Sequence, residues 1–212
     1  MPKMNLNDVR RALELPRPGR EAQIKLSPRP RPGDVFPLPL ETQVKDASVL
    51  ILLFPFQNDL NFFLTRRTEK VETHKGQISL PGGTQEPGEK LWETALREAS
   101  EELHIDTLGV HVFHKPLSQI YIPVSGFRVT PYVGYADQRL MVDAAPDEVV
   151  EVIETPLDVI VNKKYQQEEE WELRNFKAMV PFYCVNGYKV WGATAMILAE
   201  FGEMLRQAKV GV

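Results

Sequence analysis

Gly82-Gly83-Thr84-Gln85-Glu86-Pro87-Gly88-Glu89-Lys90-Leu91-Trp92-Glu93-Thr94-Ala95-Leu96-Arg97-Glu98-Ala99-Ser100-Glu101-Glu102-Leu103-His104-Ile105 opens on a glycine pair and passes into a helical pattern. Pro87 suits a first helical turn, so the pattern predicts a helix introduced at Pro87-Gly88-Glu89 and running to Leu103. At ~100° per residue, Glu98, Glu101 and Glu102 share an arc of ~100°, bordering a stripe made by Trp92, Ala95, Leu96, Ala99 and Leu103. The stripe faces a core. Acidic neighbours three and four apart destabilise a helix by a few tenths of a kcal/mol per pair, and the nearest lysine on that arc is Lys90. Something cationic must compensate. Oxygen donors at this spacing suit a hard divalent ion, Mg²⁺ or, by substitution, Mn²⁺. Glu89 and Glu93 fall on the side of Arg97, so Glu89 reads as an ion-pair partner that holds Arg97 and Glu93 as a solvated charge.

Upstream, Val49–Phe54 and Asn61–Thr65 are β-rich runs separated by Gln57, Asn58 and Asp59, which predicts a hairpin; Gln77–Leu80 is a further short strand. Downstream, strands are predicted at Val110–Phe113, Phe127–Tyr135, Val149–Ile153 and Phe176–Tyr183, with an Asn186-Gly187 hairpin turn before Tyr188. A last helix from about Thr194 to Ala208 turns Ala195, Leu198, Ala199 and Leu205 inward. The expected fold class is therefore mixed α/β (α+β): a mixed β-sheet with helices on its faces. At the other end, Leu6, Val9 and Leu13 recur at helical spacing behind Asn5 or Asn7 as cap. Seven prolines between Pro16 and Pro39 then predict an extended arm, lying over the surface or, through its arginines, holding an anion or a second subunit. This divides the chain into residues 1–44, helix and arm, and residues 45–212, the domain that holds the sheet and its helices.

Composition narrows the function classes. With 43% hydrophobic and 25% charged residues in 212, the chain matches an ordinary globular domain. The longest apolar run, Val49 to Phe56, is interrupted by Pro55 and is far short of the roughly 20 residues that span a bilayer, so no membrane is expected. A net charge of -4 gives no overall field for a polyanion, so nucleic acid is not the expected partner. A lone cysteine, Cys184, and an amino terminus without a secretory pattern point to the cytoplasm.

The spacing Gly83, five residues, Glu89, seven residues, then Arg97-Glu98-Ala99-Ser100-Glu101-Glu102-Leu103 resembles the box of the Nudix hydrolases. Six fixed residue types recur there with a chance of about 10⁻⁵ in a chain of this length. His104 departs, since the family usually has glycine at that position, and it must end the helix with a costlier backbone. The resemblance implies a mixed sheet sandwiched between helices and hydrolysis of a nucleoside diphosphate linked to another group. It implies Glu98 and Glu102 as leading Mg²⁺ ligands, with Glu101 a further ligand or the base, Glu98 an alternative base, and the Gly82 carbonyl a further donor. Glu148, Glu151 and Glu168 to Glu170 are candidates for one more carboxylate.

Upstream of the box, Phe63-Leu64-Thr65-Arg66-Arg67-Thr68, Val71, His74, Gly76, Ile78 and Leu80-Pro81-Gly82-Gly83 is similar to the additional signature of the coenzyme A pyrophosphatase branch, with departures at Thr68, Glu72 and Leu80. That resemblance implies cleavage of coenzyme A or acyl-CoA to 3′,5′-ADP and 4′-phosphopantetheine or its acyl form. Arg67, His74 and Gly76 would then act on the substrate side, and a homodimer is compatible with the family. The alternatives are a diphosphatase for ADP-ribose or another nucleoside diphosphate derivative, and a non-catalytic nucleotide-sensing module.

Overall fold

A computed structural model of the chain describes residues 3–31, 44–68, 77–143, 145, 149–173 and 176–210. Two strands organise it: β1 (Lys45–Phe56) and β2 (Asp59–Arg67) form an antiparallel hairpin in which Phe56 faces Asp59. The turn is two residues, not three: Gln57 and Asn58 both take positive φ, 49° and 64°, as the tight hairpin turns that match strand twist require, and this frees Asp59 to pair.

Around the hairpin lie β3 (Ile78–Ser79), β4 (Gly82–Thr84), β5 (Val110–Phe113), β6 (Ile120–Ile122), β7 (Phe127–Ala136) and β8 (Val149–Pro156). Among the described residues these eight strands make one mixed sheet, ordered β3-β2-β1-β7-β5, with β4 on β1, β6 on β7 and β8 on β2. β1 runs parallel to β7 and antiparallel to β2 and β4. A short helix, α4 (Asp158–Val161), precedes a second, three-stranded sheet that joins β9 (Gln166–Leu173), β10 (Phe176–Val185) and β11 (Tyr188–Val190).

The apolar run Val49–Phe54 of β1 has a cause: both faces of the strand are covered. Leu50, Leu52 and Phe54 share a core with Ala95, Ala99 and Leu103 of the box helix, α3 (Leu91–Leu103). Ile51 and Leu53 share another core with α1 (Leu6–Glu14) and α5 (Gly192–Val210). The sheet is thus sandwiched by helices, as the sequence pattern leads one to expect, and Ala195, Leu198, Ala199 and Leu205 are buried. Asn5 closes α1 in a capping box, its side chain accepting from Asp8 N at 3.1 Å while Asn5 N donates to Asp8 at 2.9 Å.

The proline-rich stretch differs from expectation in its first half. Between Pro18 and Pro28 there is no proline, and the chain uses that window for α2 (Arg20–Gln23) and a 3₁₀ turn (Ile24–Leu26). Ala22 and Leu26 are buried beside α5, and the Gln23 side chain donates to Glu200 at 3.0 Å. Arg17 donates to the carbonyls of Leu13, Leu15 and Pro116, each at 2.9 Å, so it ties the backbone together instead of waiting for an anion. Residues 32–43, with Pro32, Pro37 and Pro39, lie outside the described residues.

The box helix starts later than predicted. Gly88 takes φ 89° and breaks the helix, so Pro87-Gly88 is a turn, Lys90 is the cap and Leu91 the first helical residue. At the other end His104 adopts φ 49°, ψ 45°, the left-handed conformation that glycine enters without strain. His104→Gly is expected to stabilise the fold by about 1 kcal/mol and to raise Tm by about 2–4 °C for a chain of this size. A melting curve followed by circular dichroism reads this, and a lowered Tm would show that the imidazole makes a contact worth more than the strain.

Candidate active site

Arg97 is the hub of the loop-helix unit. Its Nε donates to Glu89 Oε1 at 2.7 Å and its Nη2 to Glu89 Oε2 at 3.2 Å, a two-pronged grip across the turn. Nη1 reaches Glu98 at 2.9 Å and Glu101 at 3.1 Å, and Nη2 reaches the Thr84 carbonyl at 3.1 Å. Because Glu89 precedes the helix, the wheel could not place it; the turn at Gly88 brings it back to Arg97. Glu89 accepts further bonds from Glu86 N at 3.1 Å and Thr94 Oγ1 at 2.8 Å. The Arg97 guanidinium, ahead of these, holds the Glu89 carboxyl down to about 2, and in return Glu89, then Glu98, raise Arg97. The clamp is fully ionised at neutral pH.

Glu102 goes the other way. Only 2% exposed, it turns under the sheet, where Oε2 accepts from Thr65 Oγ1 and Oε1 from Arg67 Nη1, both at 3.4 Å. Thr65 and Arg67 come from β2, so the strand of the upstream signature meets the helix of the box here. The three carboxylates therefore differ in surroundings: Glu102 buried, Glu98 16% exposed, Glu101 60% exposed. Like charges on one arc each take a nearby cation, and the two arginines stand on opposite sides. Among the described residues no three Asp, Glu, His or Cys side chains stand together as a ready metal cluster.

Two of the three acids still share a space. Glu98 and Glu102 line a cavity of about 370 Å³ together with Arg67, the chain from Gly82 to Thr84 and, at its exposed edge, Glu86, and Glu101 does not line it. Gly83 makes room for this: a Cβ there would lie 2.4 Å from the Glu98 carboxylate. The donor chemistry, the Glu98 and Glu102 carboxylates beside a turn of backbone with Glu86 at the rim, fits a hard divalent cation. His74, Gly76 and Glu148 lie outside the described residues. Glu168, Glu169 and Glu170 lie on β9 beside cations: Glu168 pairs with Arg29, Glu169 with Lys189 at 2.5 Å, Glu170 with Lys177 at 2.8 Å. Glu151 pairs with Arg66 at 3.3 Å and accepts from Tyr188 Oη at 2.6 Å. None of these four lines the cavity. Sequence reasoning missed Thr65 as a partner of Glu102, for which the buried hydroxyl in an apolar strand was the available signal.

Residues 44–176 match the model of the NUDIX domain, more than half the chain. The protein is 33% identical over 183 residues to the uncharacterized Nudix hydrolase NudL of Pectobacterium atrosepticum, covering 84% of this chain and 88% of that one. It is 33% identical over 179 residues to the chloroplastic Nudix hydrolase 22 of Arabidopsis thaliana, covering 80% of this chain but 58% of that protein. Among solved structures, a Caenorhabditis elegans Ap4A hydrolase in a binary complex superposes with a TM-score of 0.51 at 16% identity, over 79% of this chain and 97% of that one. RenU, a Nudix hydrolase from M. smegmatis, gives 0.51 at 15% identity, over 79% and 87%; both likenesses are of fold. No helix among the described residues is long and apolar enough to cross a membrane. With the box residues gathered on one loop and helix, the domain matched across the core strands and relatives matched at a third identity, the chain belongs to the Nudix hydrolase family, enzymes that act on phosphorus anhydrides and generally use divalent metals.

Proposed function

We propose that the protein hydrolyses the diphosphate bond of coenzyme A or an acyl-CoA in the cytoplasm, with Mg²⁺ or Mn²⁺, giving 3′,5′-ADP and 4′-phosphopantetheine or its acyl form. The observation that carries this reading is the meeting of two signatures at one carboxylate: Thr65 and Arg67 from the upstream motif both contact Glu102 of the box. A bound divalent cation would neutralise phosphate charge and lower the pKa of a water molecule.

The chain's own groups then divide the work. Glu98 and Glu102, with the Gly82 carbonyl, form the donor set on the cavity wall, and Glu101 is the further ligand or base. Of the two candidate bases, Glu98 has the better position, since it lines the cavity and Glu101 faces solvent. The base takes a proton from the attacking water, a P–O bond forms at one phosphorus, and the bridging oxygen leaves with its electron pair and is protonated. Arg97 orients Glu98 and Glu101, while Glu89 fixes Arg97. Arg67 offers a guanidinium to phosphate oxygens from the other wall.

Purified protein incubated with coenzyme A, ADP-ribose and NADH, with Mg²⁺ and with a chelator, tests the reading. Coenzyme A is expected to turn over at least about tenfold faster than the others, and the chelator to abolish the reaction. Faster ADP-ribose cleavage would retain the chemistry and overturn the substrate.

A further inference from the structure

A second cavity, about 390 Å³, opens directly from the acidic one; Arg67, Gly82, Gly83 and Thr84 line both. Its walls differ in kind. Ile78, Leu80 and Phe127 come from the sheet region, Val124 from the turn after β6, Trp191 from the residue between β11 and α5, and Ile197 from the first turns of α5. Among the described residues lining it, Arg67 alone carries a charge, and it stands at the end shared with the acidic cavity.

Whatever enters this groove from a diphosphate held at Glu98 and Glu102 must be uncharged along its length. A nucleoside carrying a further phosphate does not meet that condition, because among the described lining residues nothing beyond Arg67 would offset its charge. A chain of methylenes and amides does, with Ser79, Ser125 and Thr194 interspersed among the apolar groups. Building on the coenzyme A reading, we infer that this groove is the subsite for the pantetheine arm and its acyl group, and that the adenosine 3′-phosphate leaves the acidic cavity in another direction. Val124 and Trp191 are then specificity-determining residues: one sets the width of the groove from a surface turn, the other forms its wall.

Titration calorimetry of the full chain with pantetheine, S-octanoyl-pantetheine and 3′,5′-ADP tests this without any turnover. S-octanoyl-pantetheine is expected to bind at least about tenfold more tightly than pantetheine, since burying as few as two methylenes gives that factor. Val124→Phe, which fills the groove, and Trp191→Ala, which removes its wall, are each expected to weaken S-octanoyl-pantetheine at least about tenfold and to shift 3′,5′-ADP by less than about twofold. Circular dichroism establishes that each variant is folded, and either one alone suffices. Equal binding of the two pantetheines, or wild-type affinity in both variants, overturns the inference. Loss of the coenzyme A reading shows elsewhere, as preference for ADP-ribose in the substrate panel, and leaves the calorimetry decisive for the groove.

Discussion

Glu102→Gln is expected to lower kcat by at least about a hundredfold while leaving the fold intact. The side chain is 2% exposed, so the substitution keeps volume and one carbonyl acceptor, and removes a charge that sits in the same cavity as Glu98. Its partners do not need the charge for stability: Thr65 donates equally well to an amide oxygen, and Arg67, 27% exposed, can be hydrated. The like charge of Glu98 in the same cavity works against Glu102, and Arg67 is exposed enough to be hydrated once the pair is broken, which avoids the cost of an unpaired buried charge. The expected signature is therefore divergent: kcat falls, Tm stays or rises, and Mn²⁺ affinity followed by titration falls about 10- to 100-fold. Retained turnover with a lowered Tm would make Glu102 a structural acid and remove the chemical core of the proposed function.

The same residue shows what sequence can carry. Wheel geometry places Glu102 beside the apolar stripe, and burial next to Ala95 and Ala99 is the direct result. It cannot place the counter-charge, because Arg67 is 35 positions away on a strand that only the sheet brings near. The Glu89–Arg97 pair is present as read, but by another route than helical spacing assumes: one glycine at φ 89° takes Glu89 off the helix, and the turn makes the contact instead. β1 and α5 were legible because apolar periodicity reports burial directly. β4 was not, since Gly82-Gly83-Thr84 has almost no strand propensity and pairs only because β1 offers it Ala47, Ser48 and Val49. β9 was hidden by its own charge: Gln166-Gln167-Glu168-Glu169-Glu170 reads as a solvated run until Arg29, Lys189 and Lys177 arrive from elsewhere in the chain.

The glycine pair separates fold from chemistry within two residues. At Gly82 a Cβ would lie 2.3 Å from the Ser48 carbonyl oxygen and 2.6 Å from Val49 Cα, so any side chain there pushes β4 off β1. At Gly83 the obstacle is different: the three atoms nearest a Cβ all belong to the Glu98 carboxylate, its carbon at 2.4 Å. The carboxylate is the movable end of a side chain, but Arg97 holds it at 2.9 Å, so relief requires that this bond break and the carboxylate swing away. Gly83→Ala is thus expected to cost less than about 1 kcal/mol of stability and, by displacing one acid by about an ångström, to lower kcat about a hundredfold. Glu98→Gln in that background is expected to add little, because the first substitution has already taken the acid out of position, and such non-additivity distinguishes a shared site from two independent injuries. Kinetics of the two single variants and the double variant, with melting curves for each, read the cycle. Fully multiplicative losses would mean that Gly83 acts on something other than Glu98.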